Sequence, residues 1–175
     1  WAAKNGINTI MWIPTVESLK KRFEIYKNAK SEKEKRNVPM GEGVCLVRDM
    51  FIADSMDEAR EKAGEQMVNY MRWVCHWRGL GTHMNPGEEL PKTKNKLDLL
   101  SYDFLHKRNM LFGTVDYVIN KIEEMQSVLN LENLQVWSNF PGVKHKDCMQ
   151  SIKLFTEKII PHFKNKAKSS IKAAS

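Results

Sequence analysis

The run from Val44 to Ala53, VCLVRDMFIA, constrains the fold more than any other part of the sequence. It is almost wholly apolar, which is typical of a strand buried on both faces of a parallel sheet. Ser55 and Glu58 follow it at the spacing of a capping box, which predicts that a helix begins at once. A buried strand that passes directly into a helix is the repeating unit of α/β proteins.

The same alternation of strand and helix extends along the chain. Apolar, β-branched runs predict strands at 7–13, 44–53 and 133–137, and a very short strand at 110–112. Apolar residues spaced by three and four predict a helix after each strand. Thr15 and Thr114 are expected N-caps, and Pro161 is expected to end the last helix. This order favours parallel strands joined by right-handed crossovers.

Four such units are half of an eight-unit barrel, which takes about 250 residues when complete. The first six residues, WAAKNG, have the form of a helix end closed by Gly6. We therefore expect residues 1–163 to be the C-terminal half of a (β/α)8 TIM-barrel, and the chain to be a fragment. Half a barrel leaves strand edges and an apolar layer uncovered, so we expect it to associate with the other half or as a homo-oligomer.

Two segments depart from the alternation. Residues 79–108 contain glycine and proline breakers and little periodicity, so the segment is either a lid-like insertion over a binding site or an insertion without a role. Residues 164–175 are predicted to be a flexible basic tail. The net charge is +7, and four lysines of this tail supply more than half of it. The body is thus only mildly basic, and a nucleic-acid partner is not expected.

Cysteine usage and hydropathy limit which cellular compartment and which partners are expected. The three cysteines are far apart and form no C-x-x-C pair, which predicts reduced thiols in a cytoplasmic protein and no metal site. No apolar run approaches the roughly 18 residues of a membrane-spanning helix, so no membrane partner is expected.

Several polar and aromatic residues are candidates for a site. Arg48 and Asp49 interrupt the apolar strand, which favours a structural ion pair over a feature that faces a cavity. The patch Trp73, Cys75, His76 and Trp77 could line a pocket, but a packing stripe is favoured. The other histidines are expected to be solvated: His83, His106, His145 and His162.

Four segments together resemble the bacterial luciferase-like flavin-dependent monooxygenases. Residues 1–6 resemble that family's W-A-A-x-x-G helix ending, and residues 44–59 its strand followed by x-A-D-S-x-D-E-A. Residues 112–118 resemble its G-T-P-E-E-V helix start, with Val115 in place of the proline. Residues 134–141 and 149–163 resemble its last strand and helix. The resemblance covers nearly all of the chain up to residue 163.

The resemblance implies a (β/α)8 barrel and an enzyme. Such an enzyme uses reduced FMN and O2 to oxygenate a small apolar substrate, such as an aldehyde, alkane or terpene, and often receives reduced flavin from a separate reductase. An oxidoreductase that uses the deazaflavin F420 and a non-catalytic flavin-binding relic are the alternatives.

The resemblance also implies which site residues the chain holds. The family's phosphate-binding segment and catalytic histidine precede the part that begins at Trp1, so no catalytic residue is assigned and the isolated chain is expected to be inactive. Barrel active sites lie at the carboxyl ends of strands. The candidate cofactor-binding residues are therefore Trp12, Trp137, Ser138 and Asn139. For the two tryptophans, ordinary packing is the alternative.

Overall fold

The computed structural model describes residues 1–90, 92 and 95–166. The strands are β1 (Thr9–Trp12), β2 (Val44–Ile52), β3 (Met110–Gly113) and β4 (Asn133–Trp137). The helices are α1 (Val16–Glu34), α2 (Met56–Arg78), α3 (Tyr102–Asn109), α4 (Val115–Leu129) and α5 (His145–Leu154). Short 3-10 turns occupy Ala3–Asn5, Leu80–His83 and Lys96–Leu99. Within these residues, no helix combines the length and the apolarity that crossing a membrane would need.

The helix starts follow from local side-chain chemistry. The Ser55 hydroxyl accepts a hydrogen bond from the Glu58 amide at 3.0 Å, and the Glu58 carboxylate accepts one from the Asp54 amide at 3.0 Å. Thr15 and Thr114 cap α1 and α4 in the same way, each at 3.3 Å. These bonds satisfy amides that have no partner inside the helix, and they confirm the predicted caps.

The four strands form one parallel sheet with β2 at its centre. β1 lies beside the N-terminal half of β2, where Trp12 is opposite Val47, and β3 lies beside the C-terminal half. Asp49 is opposite both Met110 of β3 and Trp137 of β4, so these two strands are on different sides of β2. β1 and β3 therefore lie end to end along one edge of β2, and β4 lies along the other.

The parallel α/β class is confirmed, but the strand order differs from that of consecutive barrel strands. In a (β/α)8 barrel each strand pairs with the next, whereas here β4 pairs with β2. The reason is length, because β1 and β3 have four residues each and together fill one edge of the nine-residue β2. The four described strands do not close a barrel.

Helices cover both faces of the sheet. On one side, which we call the α1 face, Met50 of β2 packs with Leu19 of α1 and Val118 of α4. On the other, the α2 face, Phe51 packs with Met67 of α2, and α3 lies on this side too. Right-handed crossovers require this arrangement. The chain crosses the sheet in one direction from β1 to β2 and from β3 to β4, so α1 and α4 lie on the same face. It crosses in the opposite direction from β2 to β3, so α2 lies on the other face.

The N-terminal half of the α2 face is uncovered. Ile10 of β1 is 66% exposed there. Asn133 and Gln135 of β4 are exposed on the same face, and Cys45 of β2 is half-buried. An exposed isoleucine on an uncovered sheet face favours a contact with another chain or segment.

The predicted end of the last helix is wrong. A π-helical turn spans Phe155–Ile159, and residues 160–166 then continue as helix through Pro161. A wide turn gives the proline ring room against the carbonyl four residues earlier, which an ordinary α-helix would not. The helix takes in the first part of the predicted tail, where Lys166 donates to Glu123 at 2.8 Å. Residues 167–175 lie outside the described residues.

Residues 79–108 are more ordered than their composition indicates. Besides two 3-10 turns, the segment contains α3 and buries Leu80, Leu100 and Leu105 against α2 and β3. The Ser18 hydroxyl of α1 donates to the Met84 carbonyl at 3.1 Å, which attaches the start of the segment to the rest of the fold. Positions 91, 93 and 94 lie outside the described residues.

Candidate functional site

Aromatic residues from three elements meet on the α2 face. The rings of Trp12 and Trp137 stack with centroids 5.7 Å apart and planes 22° apart. Tyr70 of α2 lies 6.3 Å from Trp12 and 6.4 Å from Trp137, and Phe140 lies 6.3 Å from Tyr70. We call Trp12, Tyr70, Trp137 and Phe140 the aromatic cluster.

Strand register explains why the two tryptophans meet. Trp12 is the last residue of β1 and lies opposite Val47, and Trp137 is the last residue of β4 and lies opposite Asp49. Val47 and Asp49 are two apart on β2, so both tryptophan side chains face the same way. The cluster thus lies where two parallel strands end, as ligand sites of α/β proteins commonly do. It is partly open, since Trp137 is 46% exposed.

Asp49 places a carboxyl group beneath this cluster. The Trp12 indole N–H donates to Asp49 Oδ2 at 3.1 Å. The Asp49 side chain is buried, and its other oxygen, Oδ1, has no hydrogen-bond partner among the described residues. Burial raises the Asp49 pKa to about 7, although the Trp12 hydrogen bond and the charge of Arg48 act to lower it. Both protonation states are therefore populated near neutral pH.

The predicted ion pair between Arg48 and Asp49 is wrong. Successive residues of a strand point to opposite faces, so Arg48 faces the α1 side. Its guanidinium donates to the carbonyls of Pro14 at 2.7 Å and Val47 at 3.3 Å. Burial lowers the Arg48 pKa to about 10. Asp49 lies on the other face, beneath the aromatic cluster.

Ser138 and Asn139 lie beside the cluster rather than within it. The Trp137 indole N–H donates to the Asn139 carbonyl at 2.9 Å. The Cys148 thiol donates to Asn139 Oδ1 at 3.9 Å. Ser138, between Trp137 and Asn139 in the sequence, is half-buried. The Asn139 carbonyl thus fixes the orientation of the Trp137 ring at the end of β4.

Three residues near the site were not predicted as site residues from the sequence. Tyr70 looked like one of many apolar residues along α2, and Phe140 lies in a loop without periodicity. Arg78, the last residue of α2, places its guanidinium carbon 5.9 Å from the centre of the Trp12 ring. Burial raises the pKa of Tyr70, and the charge of Asp49 adds to the effect.

The predicted packing stripe at the end of α2 is wrong for its tryptophans. Trp73 is 64% exposed and Trp77 is 73% exposed, although Trp73 does stack on Tyr70 with centroids 6.4 Å apart. Cys75 alone points inward, and burial raises the pKa of its thiol to about 11. A thiol with so high a pKa is a poor nucleophile at neutral pH.

Two of the histidines expected to be solvated are not. His83 is fully buried, and its Nδ1 accepts a hydrogen bond from the Asn109 side chain at 3.0 Å, so Nε2 carries the ring proton. Asn109 also donates to the carbonyl of Ile13, just after β1. Burial lowers the His83 pKa to about 4, so the ring is neutral. His106 stacks between Tyr102 and Tyr117 at 5.1 and 5.0 Å.

The chemistry of the cluster fits a planar heteroaromatic ring. Flat indole and phenol surfaces favour stacking, and the unpartnered Asp49 oxygen can bond a ring carbonyl or ring N–H. The isoalloxazine ring of a flavin is planar and aromatic, and it carries ring carbonyls and a ring N–H. In the described part of the chain, no three His, Cys, Asp or Glu side chains are grouped as metal ligands.

Comparison with known proteins gives matches among solved structures only. No protein-family model matches the sequence, and no curated protein does. The chain matches the monooxygenase RslO1 from Streptomyces bottropensis with a TM-score of 0.66 and 18% identity over 93% of this chain and 44% of that one.

Two further matches are monooxygenases of other bacteria. The oxygenating constituent of 3,6-diketocamphane monooxygenase from Pseudomonas putida, in complex with FMN, gives a TM-score of 0.68 and 16% identity over 91% of this chain and 44% of that one. EDTA monooxygenase from Chelativorans gives a TM-score of 0.60 and 11% identity over 95% and 43%. This chain therefore spans less than half the length of these proteins. At such identities the likeness concerns the fold, and it confirms that the structural neighbours of this chain are bacterial luciferase-like flavin monooxygenases.

Proposed function

We propose that this chain is the C-terminal half of a flavin-dependent monooxygenase and supplies a flavin-ring surface to its active site. The observation that carries the proposal is the stacking of Trp12 on Trp137 beside the unpartnered oxygen of Asp49. The fold supports it, since the neighbours of known activity include monooxygenases, one of them in complex with FMN. Residues 1–163 would form the half-barrel, with 79–108 as its lid.

The proposed reaction joins reduced FMN, O2 and a small apolar substrate of the aldehyde, alkane or terpene class. A similar solved structure is a long-chain alkane monooxygenase, with a TM-score of 0.52 and 12% identity, which supports an apolar substrate, whereas EDTA monooxygenase is named for a polar one. Reduced flavin, when bound, supplies the electrons that activate O2. The residues of this chain hold the ring and keep water from it with their apolar surfaces. No catalytic residue and no phosphate contact is assigned to this chain.

Partners and location follow from the same proposal. The diketocamphane protein is the oxygenating constituent of its enzyme, which supports a separate reductase as the source of reduced FMN. We propose a cytoplasmic homo-oligomer. FMN rather than F420 is proposed because the diketocamphane protein carries FMN and a matched riboflavin lyase carries modified FMN. The absorbance spectrum of cofactor that copurifies with the protein distinguishes the two.

Ring binding is tested by titrating the chain with riboflavin and with FMN while following tryptophan fluorescence. We expect saturable quenching by both ligands. Trp12→Ala and Trp137→Ala are each expected to weaken binding by about 2- to 10-fold, since one aromatic stacking contact contributes about 0.5–1.5 kcal/mol.

Trp77→Ala is the matched control, because Trp77 is on the same helix as Tyr70 but outside the aromatic cluster, and it should leave the dissociation constant unchanged. Absence of quenching in the unsubstituted chain, or an equal loss in Trp77→Ala, would contradict the proposal. A turnover assay of the complete gene product with a flavin reductase then separates an enzyme from a non-catalytic relic.

A further inference from the structure

We infer that Asp49 is a ring-contacting residue of this site, and that its Oδ1 donates a hydrogen bond to a carbonyl of the bound flavin ring. The inference rests on the proposed function and adds to it the polar contact that fixes the orientation of the ring.

The hydrogen bonds of Asp49 show which oxygen is available. Oδ2 accepts from the Trp12 indole N–H at 3.1 Å, whereas Oδ1 is buried without a partner among the described residues. In a neutral carboxyl group, the oxygen that accepts from the indole is the carbonyl oxygen, so the O–H lies on Oδ1. A buried donor without an acceptor is unfavourable until a ligand supplies one.

The surroundings of Asp49 favour this neutral form. Trp12 faces it from β1, Trp137 from β4 and Tyr70 from α2, and none of these side chains is a cation. Arg48 is adjacent in sequence, but its guanidinium is bonded to carbonyls on the α1 face. Arg78 lies over the Trp12 ring. Burial is accordingly the main cause of the raised Asp49 pKa of about 7.

Trp137 is the residue opposite Asp49 on β4. It is the last residue of β4 and its ring is 46% exposed, so the flavin is inferred to enter between the Trp137 and Trp12 rings, in contact with both, as Trp137 shifts away from Trp12. The flavin then stacks on Trp12, whose indole stays bonded to Oδ2 of the same carboxyl group. Asp49 thus contacts the ligand with one oxygen and positions the stacking ring with the other.

A proton linkage follows from this contact. Only the neutral carboxyl group can donate, so flavin affinity is expected to weaken by about tenfold for each pH unit above about 7. The linkage belongs to the ring and not to the phosphate, so riboflavin and FMN should show it equally.

The test measures dissociation constants of riboflavin and FMN across this pH range for four proteins. Asp49→Asn retains an N–H donor of nearly the same shape, so we expect an affinity within about threefold of the unsubstituted chain at low pH and no weakening at high pH. Asp49→Ala should bind at least about tenfold more weakly at low pH. Asp103→Asn is the matched control, since Asp103 is exposed and paired with Arg60, and it should follow the unsubstituted chain.

Three results would overturn the inference while leaving flavin binding in place. The first is that Asp49→Asn keeps the pH dependence, which would assign it to another group. The second is that FMN shows the dependence and riboflavin does not, which would indicate repulsion between the carboxylate and the phosphate. The third is that Asp49→Ala binds as the unsubstituted chain does. If the unsubstituted chain binds neither flavin, the proposed function itself fails.

Discussion

The carboxyl group of Asp49 loses its hydration in the fold and receives a single hydrogen bond in return. Removal from water disfavours the charged form, and one hydrogen bond from an indole N–H does not replace the hydrogen bonds that water makes to a carboxylate. The native state therefore holds a proton that the unfolded chain releases, and the stability of the protein becomes dependent on pH.

Asp49→Asn should reveal this dependence. The Asp49 pKa is about 7 in the fold against an ordinary value of 3.8, so the native state binds more protons between these values and stability falls as the pH rises through them. We expect the variant to gain up to about 4 kcal/mol relative to the unsubstituted chain on going from pH 4 to pH 8. Urea unfolding at both pH values measures it.

Only the difference between variant and unsubstituted chain is diagnostic, because other carboxyl groups titrate in the same range. Glu42 and Glu58 are paired with cations that lower their pKa values, and they affect both proteins alike. A difference that is the same at both pH values would show that Asp49 has an ordinary pKa.

Single residues also show how far reasoning from the sequence reaches. The end of a strand can be located from its pattern, and this was enough to select Trp12 and Trp137. The alternation of side chains along β2 was also visible, and it would have separated Arg48 from Asp49. Tyr70 could not be selected, because its meeting with the tryptophans depends on how α2 crosses the sheet.

At the scale of elements, a buried hydrogen bond joins α5 to β2. The buried Ile52 amide, at the end of β2, donates to the Ser151 hydroxyl at 2.8 Å. Ser151→Ala leaves this amide without a partner, so we expect a loss of about 1–3 kcal/mol in the free energy of unfolding. Ser127→Ala, at an exposed position of α4, is the control and should cost little. Equal losses would mean that the hydroxyl does not support the strand.

The lid proposal for residues 79–108 is testable by limited proteolysis. Lys92 and Lys96 are exposed, whereas Leu100 and Leu105 hold the second part of the segment in the core. If the first part closes over bound flavin, trypsin should cut after these two lysines several-fold more slowly when riboflavin is present. Cleavage after Lys35, at the exposed end of α1, serves as the internal control. Equal rates with and without ligand would rule out a lid.

The positions of elements were predictable where neighbouring residues in the sequence determine them, and not where tertiary packing determines them. The caps at Thr15, Ser55 and Thr114 are local, and so is the apolar pattern of β2. The continuation of helix through Pro161 depends on a π turn that no sequence signal marked. The pairing of β4 with β2 depends on how two short strands share one edge, which is a property of the assembled sheet.

For the whole molecule, the uncovered half of the α2 face predicts association. Ile10 is 66% exposed on β1, a strand at the edge of the sheet. Ile10→Lys should shift the chain toward monomer in sedimentation velocity, because charge on an edge strand opposes pairing. Ile25→Lys is the control, since Ile25 is 61% exposed on α1, away from this face. A chain that is monomeric at every concentration would contradict the prediction.

The end-to-end placement of β1 and β3 has a consequence for synthesis on the ribosome. One edge of β2 is completed by β1, which precedes it in the sequence, and by β3, which follows it, with Asn109 bonded to the Ile13 carbonyl at the junction. A nascent chain that has not yet reached residue 113 has the partner for only the first half of that edge. The second half, from Asp49 to Ile52, has no strand partner on that edge during elongation, so its backbone hydrogen-bonding groups are available for pairing with other chains until β3 is made.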